Sequence, residues 1–155
     1  MLFRANDENL LNEIGERVHW ANAASSDLFA LVLAKACPRL ALCKPTILKH
    51  LHQLLETGAY TDAALAVIEF EIPSWKLRRL IFDAGEWQCL LSRKPWVPVE
   101  FDETVAAYHE CLALAILSSF IEARRAHLIN NSLGPSTVPQ VQSADGLTLC
   151  CENFS

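Results

Sequence analysis

The chain has 155 residues, of which 52% are hydrophobic and 20% are charged, and its formal net charge is −5. This length suits one domain, and the apolar fraction is large enough for a packed core, which excludes a disordered chain. The acidic balance disfavours nucleic-acid binding, because phosphate backbones would be repelled unless basic residues were strongly segregated on one surface.

The sequence predicts a cytoplasmic protein without a membrane span. Acidic residues between Asp7 and Glu16 interrupt any signal-peptide core. The longest apolar run, residues 111–121, is shorter than the about 20 residues that a membrane-spanning helix requires. Six cysteines are present, but we expect reduced thiols, because no secretory signal accompanies them.

Four helices are predicted in the first half of the chain, because apolar residues recur there at helical spacing. Their expected ranges are about 7–21, 25–37, 45–58 and 61–72. The second helix is apolar almost all round over residues 28–34, so it should be central to the fold. The short connection 58–60 should make the third and fourth helices an αα-hairpin.

Strand periodicity replaces helical periodicity in the next segment, which predicts one antiparallel β-hairpin over about residues 76–93. Ala84 and Gly85 form the expected turn, which sets the register of the two strands. The expected pairs are Phe82 with Trp87, Leu80 with Cys89, Arg78 with Leu91 and Lys76 with Arg93. Because two strands alone are marginally stable in water, a third strand is favoured, either at 97–101 or at 147–151.

One long helix is predicted over about residues 103–129, with Asp102 as its N-cap. The apolar positions at helical spacing are Val105, Tyr108, Leu112, Ile116 and Phe120. Residues 132–155 are aperiodic and rich in Ser, Pro and Gln, so we expect a mobile or weakly docked tail after a single domain of residues 1–131. The predicted fold class is therefore α+β and predominantly α-helical.

The cysteines and histidines do not match a known metal motif. Cys37, Cys43, His50 and His52 are close in sequence, but their spacing differs from that of zinc sites, and the two histidines point about 200° apart on a helix. The vicinal pair at 150–151 has no neighbouring base that would activate a thiol. We therefore expect no metal site and no cofactor.

The sequence contains no constellation typical of an enzyme. It lacks a Gly-x-Ser-x-Gly elbow and a glycine-rich phosphate loop. His109 and Glu110 lie beside each other on the predicted long helix, and adjacent helical residues do not face each other. We name no catalytic residue, and a non-enzymatic role is favoured.

The best candidate for a functional surface is a cationic corner, defined as Trp75, Lys76, Arg78, Arg93 and Trp96. The predicted register brings the two ends of the hairpin together at this corner. Arginine beside tryptophan is common in recognition surfaces, where it would suit an acidic protein, a nucleotide or a carboxylate ligand. The alternative interpretation is a charged strand edge that prevents aggregation.

Two functional hypotheses follow. The first is a protein-interaction or regulatory module that self-associates or binds a protein partner. The second is a small-ligand-binding protein or minor enzyme with a pocket between the hairpin and the long helix. That pocket would be lined by Trp87, Cys89, Tyr108 and His109, with Arg78 beside them.

The middle of the chain resembles short uncharacterised bacterial proteins. The residues that carry the likeness are 73–80, 83–93, 113–117 and 122–125, within a similar region of about 57–125. The resemblance implies a bacterial and cytoplasmic origin. It implies no activity for any residue.

Overall fold

The computed structural model describes the backbone of residues 2–133 and the side chains of residues 5–131. Its elements in chain order are α1 (Leu2–Trp20), α2 (Ser26–Ala36), α3 (Pro38–Ala41), α4 (Pro45–Glu56), α5 (Tyr60–Glu71), β1 (Lys76–Asp83), β2 (Glu86–Ser92), β3 (Thr104–His109) and α6 (Leu112–Leu133). This helix-rich α+β architecture confirms the predicted fold class. The strand expected at 147–151 and nearly all of the expected tail lie outside the described residues.

The four predicted helices of the first half are present, and local signals account for their ends. The side chain of Ser25 accepts a hydrogen bond from the Leu28 N–H and caps α2. Pro45 occupies the first turn of α4, and Gly58, with φ +76°, follows its end. α1 begins at Leu2 rather than near residue 7, and the four-residue helix α3 was not predicted.

The prediction that α2 is central was wrong. Only Phe29, Val32 and Ala36 of this helix are buried, whereas Ala30 and Ala34 are exposed. Alanine has little apolar surface, so an outward alanine face costs little in water. The central element is instead α6, which contacts α1, α5, β2 and β3.

The three strands form one antiparallel sheet in the order β1-β2-β3. The turn has positive φ at Ala84 (+52°) and Gly85 (+86°), as a two-residue type I′ hairpin turn requires. The predicted pairs Phe82–Trp87 and Leu80–Cys89 are confirmed.

The predicted pairing of Arg78 with Leu91 was wrong, because the ladder shifts between Leu77 and Arg79. Leu77 lies opposite Leu91, Arg79 lies opposite Leu90, and Arg78 is the extra residue of a β-bulge. The shift also places Lys76 opposite Ser92 rather than Arg93.

The third strand and the start of the long helix were both misplaced by sequence reasoning. β3 occupies residues that were assigned to the helix, and α6 begins only at Leu112. Val105 and Tyr108 are three residues apart, which fits a helix, but Val105 lies opposite Leu91 in the sheet and Tyr108 opposite Gln88. The segment 97–101 contains a 3-10 turn, Val99–Phe101, instead of a strand.

The core lies between α6 and one face of the sheet, with α1 and α5 on the other sides of α6. Leu114, Ile116, Leu117, Phe120 and Ile121 of α6 are almost completely buried. A helix surrounded on several sides is apolar on several sides, which explains its weak amphipathic pattern. Among the described helices, none has the length and apolarity to cross a membrane.

Candidate functional site

The buried carboxylate of Asp102 holds the loop of residues 93–103 against the hairpin. It accepts hydrogen bonds from Arg78 Nη1 (2.8 Å), the Lys94 backbone N–H (2.7 Å) and the Ser92 hydroxyl. Arg78 Nη2 also donates to the Val97 carbonyl oxygen at 2.8 Å. The bulged residue of β1 therefore connects the hairpin to the loop, and its positive charge is paired.

The electrostatics of Asp102 favour the ionised carboxylate. Loss of surrounding water raises the pKa of this carboxyl, but hydrogen bonds from Ser92 and the Lys94 backbone, together with Arg78, outweigh it. The net result is a pKa below the ordinary value. The side chain of Asp102 has no exposed surface, and that of Arg78 is 19% exposed. This ion pair is thus a fixed part of the loop structure.

Arg93 covers the buried tryptophan of the cationic corner. Its guanidinium carbon lies 5.9 Å from the centre of the Trp75 ring, and Trp75 is only 3% exposed. Its Nη1 lies 3.2 Å from Glu103 Oε2, and its backbone N–H donates to the Glu103 carbonyl oxygen at 3.1 Å. Trp75 therefore stabilises the core, and the surface that a partner would meet is formed by its neighbours.

Two large aromatic side chains project from the same loop. Trp96 is 77% exposed and Phe101 is 75% exposed, and Val99 between them is 44% exposed. Trp96 and Phe101 line an aromatic cleft of about 560 Å³. The cleft is lined by Ser74, Arg93, Lys94, Trp96, Phe101 and Glu103. An apolar surface of this kind, rimmed by charges, is typical of an interaction site.

The structure thus brings the five residues of the cationic corner to one end of the sheet but gives them different roles. Trp75 is buried, and Arg78 and Arg93 are in ion pairs. Lys76 and Trp96 are exposed to solvent. Among the residues whose side chains are described, no ion pair involves Lys76 or Lys94, so their charges are available to a partner.

Sequence reasoning missed Phe101, Val99 and Glu103. The signal was present in Pro95 and Pro98, which interrupt this segment. Proline cannot donate a ladder hydrogen bond, so the spacing of these two residues favoured a loop over a strand. Apolar residues in a proline-containing loop have no strand partner to cover them, which is why they are exposed here.

The four residues of the alternative pocket do not share one described cavity, although Tyr108 and His109 line the same one and Trp87 lies opposite His109 in the sheet. Cys89 and His109 lie on the covered face of the sheet, and Trp87 is half-buried beside Phe82, with ring centres 5.1 Å apart. Tyr108 faces the other way and accepts a hydrogen bond from Gln88 Nε2 at 2.8 Å. No described cavity contains all four side chains.

The buried polar groups of this region serve the fold. The Cys89 sulfur lies 3.2 Å from Ser119 Oγ, and burial raises the pKa of this thiol although the hydrogen bond opposes that rise. The backbone N–H of Cys111 donates to His109 Nδ1 at 2.9 Å. A thiol with a raised pKa is a poor nucleophile. These contacts are those of a packed interior.

A second buried carboxylate, Glu71, connects α5 to α3. Its two oxygens accept hydrogen bonds from the backbone N–H groups of Arg39 (3.2 Å) and Leu40 (2.9 Å). The neighbouring Cys37 thiol has a strongly raised pKa, first because it is buried and second because Glu71 is negative, while Arg124 acts in the opposite direction. This cluster caps the short helix and presents no opening to solvent.

No site for a metal ion is present in the described part of the chain, where no three His, Cys, Asp or Glu side chains converge. Cys37, Cys43, Cys89 and Cys111 are free thiols. The pair at 150–151 lies outside the described residues. The chain matches no family model, and no curated protein and no solved structure is similar to it.

Proposed function

We propose that this chain is a non-enzymatic protein-interaction module that self-associates through the aromatic cleft. The observation that carries the proposal is the high exposure of Trp96 and Phe101 on a loop held in place by Asp102. Burying a large apolar side chain stabilises an interface by about 1.5–3 kcal/mol. Covering two such residues on each copy supplies a sizeable driving force for association.

The fixed position of the loop supports this role. Association is opposed by the entropy lost when mobile segments become ordered. Here the hydrogen bonds of Asp102 and of Arg78 already order the segment in the free chain. The aromatic side chains thus lie on a preorganised surface, which reduces the entropy lost on association.

A second copy fits the charges around the cleft. Lys94 and Glu103 line the cleft and have opposite signs. In a two-fold dimer the same surface faces itself, so Lys94 of one copy can meet Glu103 of the other. Trp96 of each copy then lies in the cleft of the other copy, against Phe101.

The cellular setting remains the one that the sequence suggests. We propose a bacterial, cytoplasmic protein, as the sequence resemblance implies. The free thiols Cys37, Cys43, Cys89 and Cys111 are compatible with a reducing compartment. A protein partner other than a second copy would use the same aromatic loop, because that loop combines exposed aromatic rings with Lys94, which forms no ion pair with a described side chain.

The test compares the oligomeric state of the full chain with that of a double variant, Trp96→Ala with Phe101→Ala. Because one loop gives an interface at the small end of the usual range, we expect dimers at about 100 µM protein in native mass spectra and sedimentation. The double variant should be monomeric under the same conditions. The matched control is Trp20→Ala, which removes an equally exposed tryptophan (74%) at the end of α1.

The control distinguishes association through the cleft from unspecific association through any exposed tryptophan. Trp20→Ala should dimerise like the wild type, since Trp20 does not line the cleft. A wild type that stays monomeric at this concentration contradicts self-association. Equal dimerisation of all three proteins would place the interface elsewhere and contradict the role of Trp96 and Phe101.

A further inference from the structure

A different surface is the free edge of β3, the edge that no other described strand covers. Within the described residues, β3 pairs only with β2. No described residue forms a backbone hydrogen bond with its other edge. An exposed strand edge carries a row of unpaired N–H and C=O groups, which is the template that extended peptides use when they add to a sheet.

This edge lacks the features that usually protect a strand edge. The other edge of the sheet, β1, has a bulge at Arg78 and exposed Lys76 and Arg79. β3 has the sequence Thr-Val-Ala-Ala-Tyr-His, without lysine, proline or a bulge in its pairing with β2.

A groove runs along the same edge, with α1 as the opposite wall and α6 as the floor. Three cavities of about 410, 270 and 260 Å³ adjoin one another there. Asn12, Glu122 and Arg125 line the first two cavities, and His19 and Tyr108 line the last two. The wall formed by α1 extends from residue 8 to residue 20, which is about 18 Å in a helix. That length matches five or six residues in extended conformation.

The groove is acidic. The ionisable side chains that line it are Glu8, Glu16, Glu86, Glu110, Glu122, Arg125, His19 and His109. The one arginine is already paired, since its Nη1 lies 2.7 Å from Glu122 Oε1 and its Nη2 donates to the Asn12 side chain. A positively charged segment therefore suits this groove, and an acidic one would be repelled.

We propose that the groove binds an extended, basic peptide segment of a partner protein, which adds to β3 as a fourth strand. Backbone hydrogen bonds to the free edge supply affinity irrespective of sequence. Successive side chains of a strand point to opposite faces, so every second side chain of the added strand points towards the helices. Glu8 and Glu16 of α1 lie on that side, which selects lysine or arginine at alternate positions.

The test uses the full-length chain and a synthetic probe, the blocked hexapeptide with three Lys-Val repeats. We expect amide NMR shifts and slower hydrogen exchange along β3, and binding that weakens as salt is added. Two control peptides separate the contributions. Three Glu-Val repeats should not bind, and a Lys-Val peptide methylated on alternate backbone nitrogens should lose binding because it cannot form the ladder.

A matched pair of variants tests whether carboxylates that line the groove cause its preference for a basic peptide. Glu16→Lys reverses a charge in the groove, whereas Glu13→Lys reverses an exposed charge on the same helix that does not line the groove. One exposed ion pair corresponds to about a two- to fivefold change in affinity. We expect Glu16→Lys to lose at least that much affinity for the Lys-Val probe and Glu13→Lys to lose less.

Three results would overturn the proposal. The Lys-Val probe could fail to bind at any concentration reached, or the methylated probe could bind equally well, which would indicate charge attraction alone. β3 amides that already exchange slowly in the free full-length chain, and stay unchanged with the probe, would show that the chain itself occupies the edge. The double variant Trp96→Ala with Phe101→Ala should keep probe binding, which distinguishes this surface from the aromatic cleft.

Discussion

The two buried carboxylates, Glu71 and Asp102, are built alike and have different consequences. Glu71 accepts hydrogen bonds from two backbone N–H groups of a segment distant in sequence, and Asp102 accepts one from the Lys94 N–H, which lies outside regular structure. Glu71 is enclosed by helices, and its contacts complete the core around Cys37. The side chain of Asp102 is the buried part of a loop whose outer residues include exposed aromatics. The comparison indicates that one carboxylate supports the fold, whereas the other supports a surface.

Removing Glu71 should have the largest effect. Glu71→Ala leaves the N–H groups of Arg39 and Leu40 without partners, and each hydrogen bond to a charged group contributes about 1.5–3 kcal/mol. We expect the free energy of unfolding to fall by about 2–4 kcal/mol, measured by urea unfolding. Glu69→Ala, an exposed change on the same helix, is the control and should alter stability little. If Glu71→Ala were as stable as Glu69→Ala, Glu71 would not be a carboxylate that supports the fold.

Removing the charge of Asp102 should affect association more than the fold. Asp102→Asn keeps the size of the side chain but weakens the contacts with Arg78, Ser92 and the Lys94 N–H. We expect the Lys94 amide proton to exchange faster and the dimer to dissociate at higher protein concentration than in the wild type. Native mass spectrometry and hydrogen exchange measure these effects. Unchanged exchange of Lys94 together with unchanged dimerisation would show that Asp102 does not order the loop.

The smallest expected effect is on the pH dependence of stability. The pKa of Asp102 is lower in the folded chain than its ordinary value. Its contribution to stability is therefore fully present above the unfolded pKa of about 3.9 and is lost as the pH falls through the lower folded pKa. The stability difference between wild type and Asp102→Asn should shrink as the pH decreases from about 5 to about 2. A difference that is constant over this interval contradicts the lowered pKa.

The parts of the fold that sequence predicts are those specified by neighbours in the chain. The cap at Ser25, the end of α4 before Gly58 and the turn at Ala84–Gly85 each depend on the conformational preferences of a few adjacent residues. The strand β3 is different, because a short apolar segment fits both the two-residue period of a strand and the 3.6-residue period of a helix. Its pairing with β2 decides that it is a strand. Tertiary contacts therefore determined the boundary between strand and helix.

The sequence predicted where the candidate site lies but not which contacts and exposed residues form it. Basic and aromatic residues near both ends of the hairpin indicated the correct corner of the molecule. The bulge at Arg78 could not be read from the sequence, since it accompanies an ion pair with Asp102, 24 residues away. Phe101 was missed because its segment was considered only as a strand. The acidic groove along β3 could not be anticipated either, since β3 had been assigned to a helix.

The position of α6 in the chain affects how the protein is made. The elements that α6 contacts, namely α1, α5, β2 and β3, all precede it in the sequence. During synthesis the ribosome therefore releases the apolar faces of these elements before the helix that covers them has emerged. Such exposed surfaces in incomplete chains promote aggregation and recruit chaperones. Folding of this core is thus completed only after residues 112–123 have left the exit tunnel.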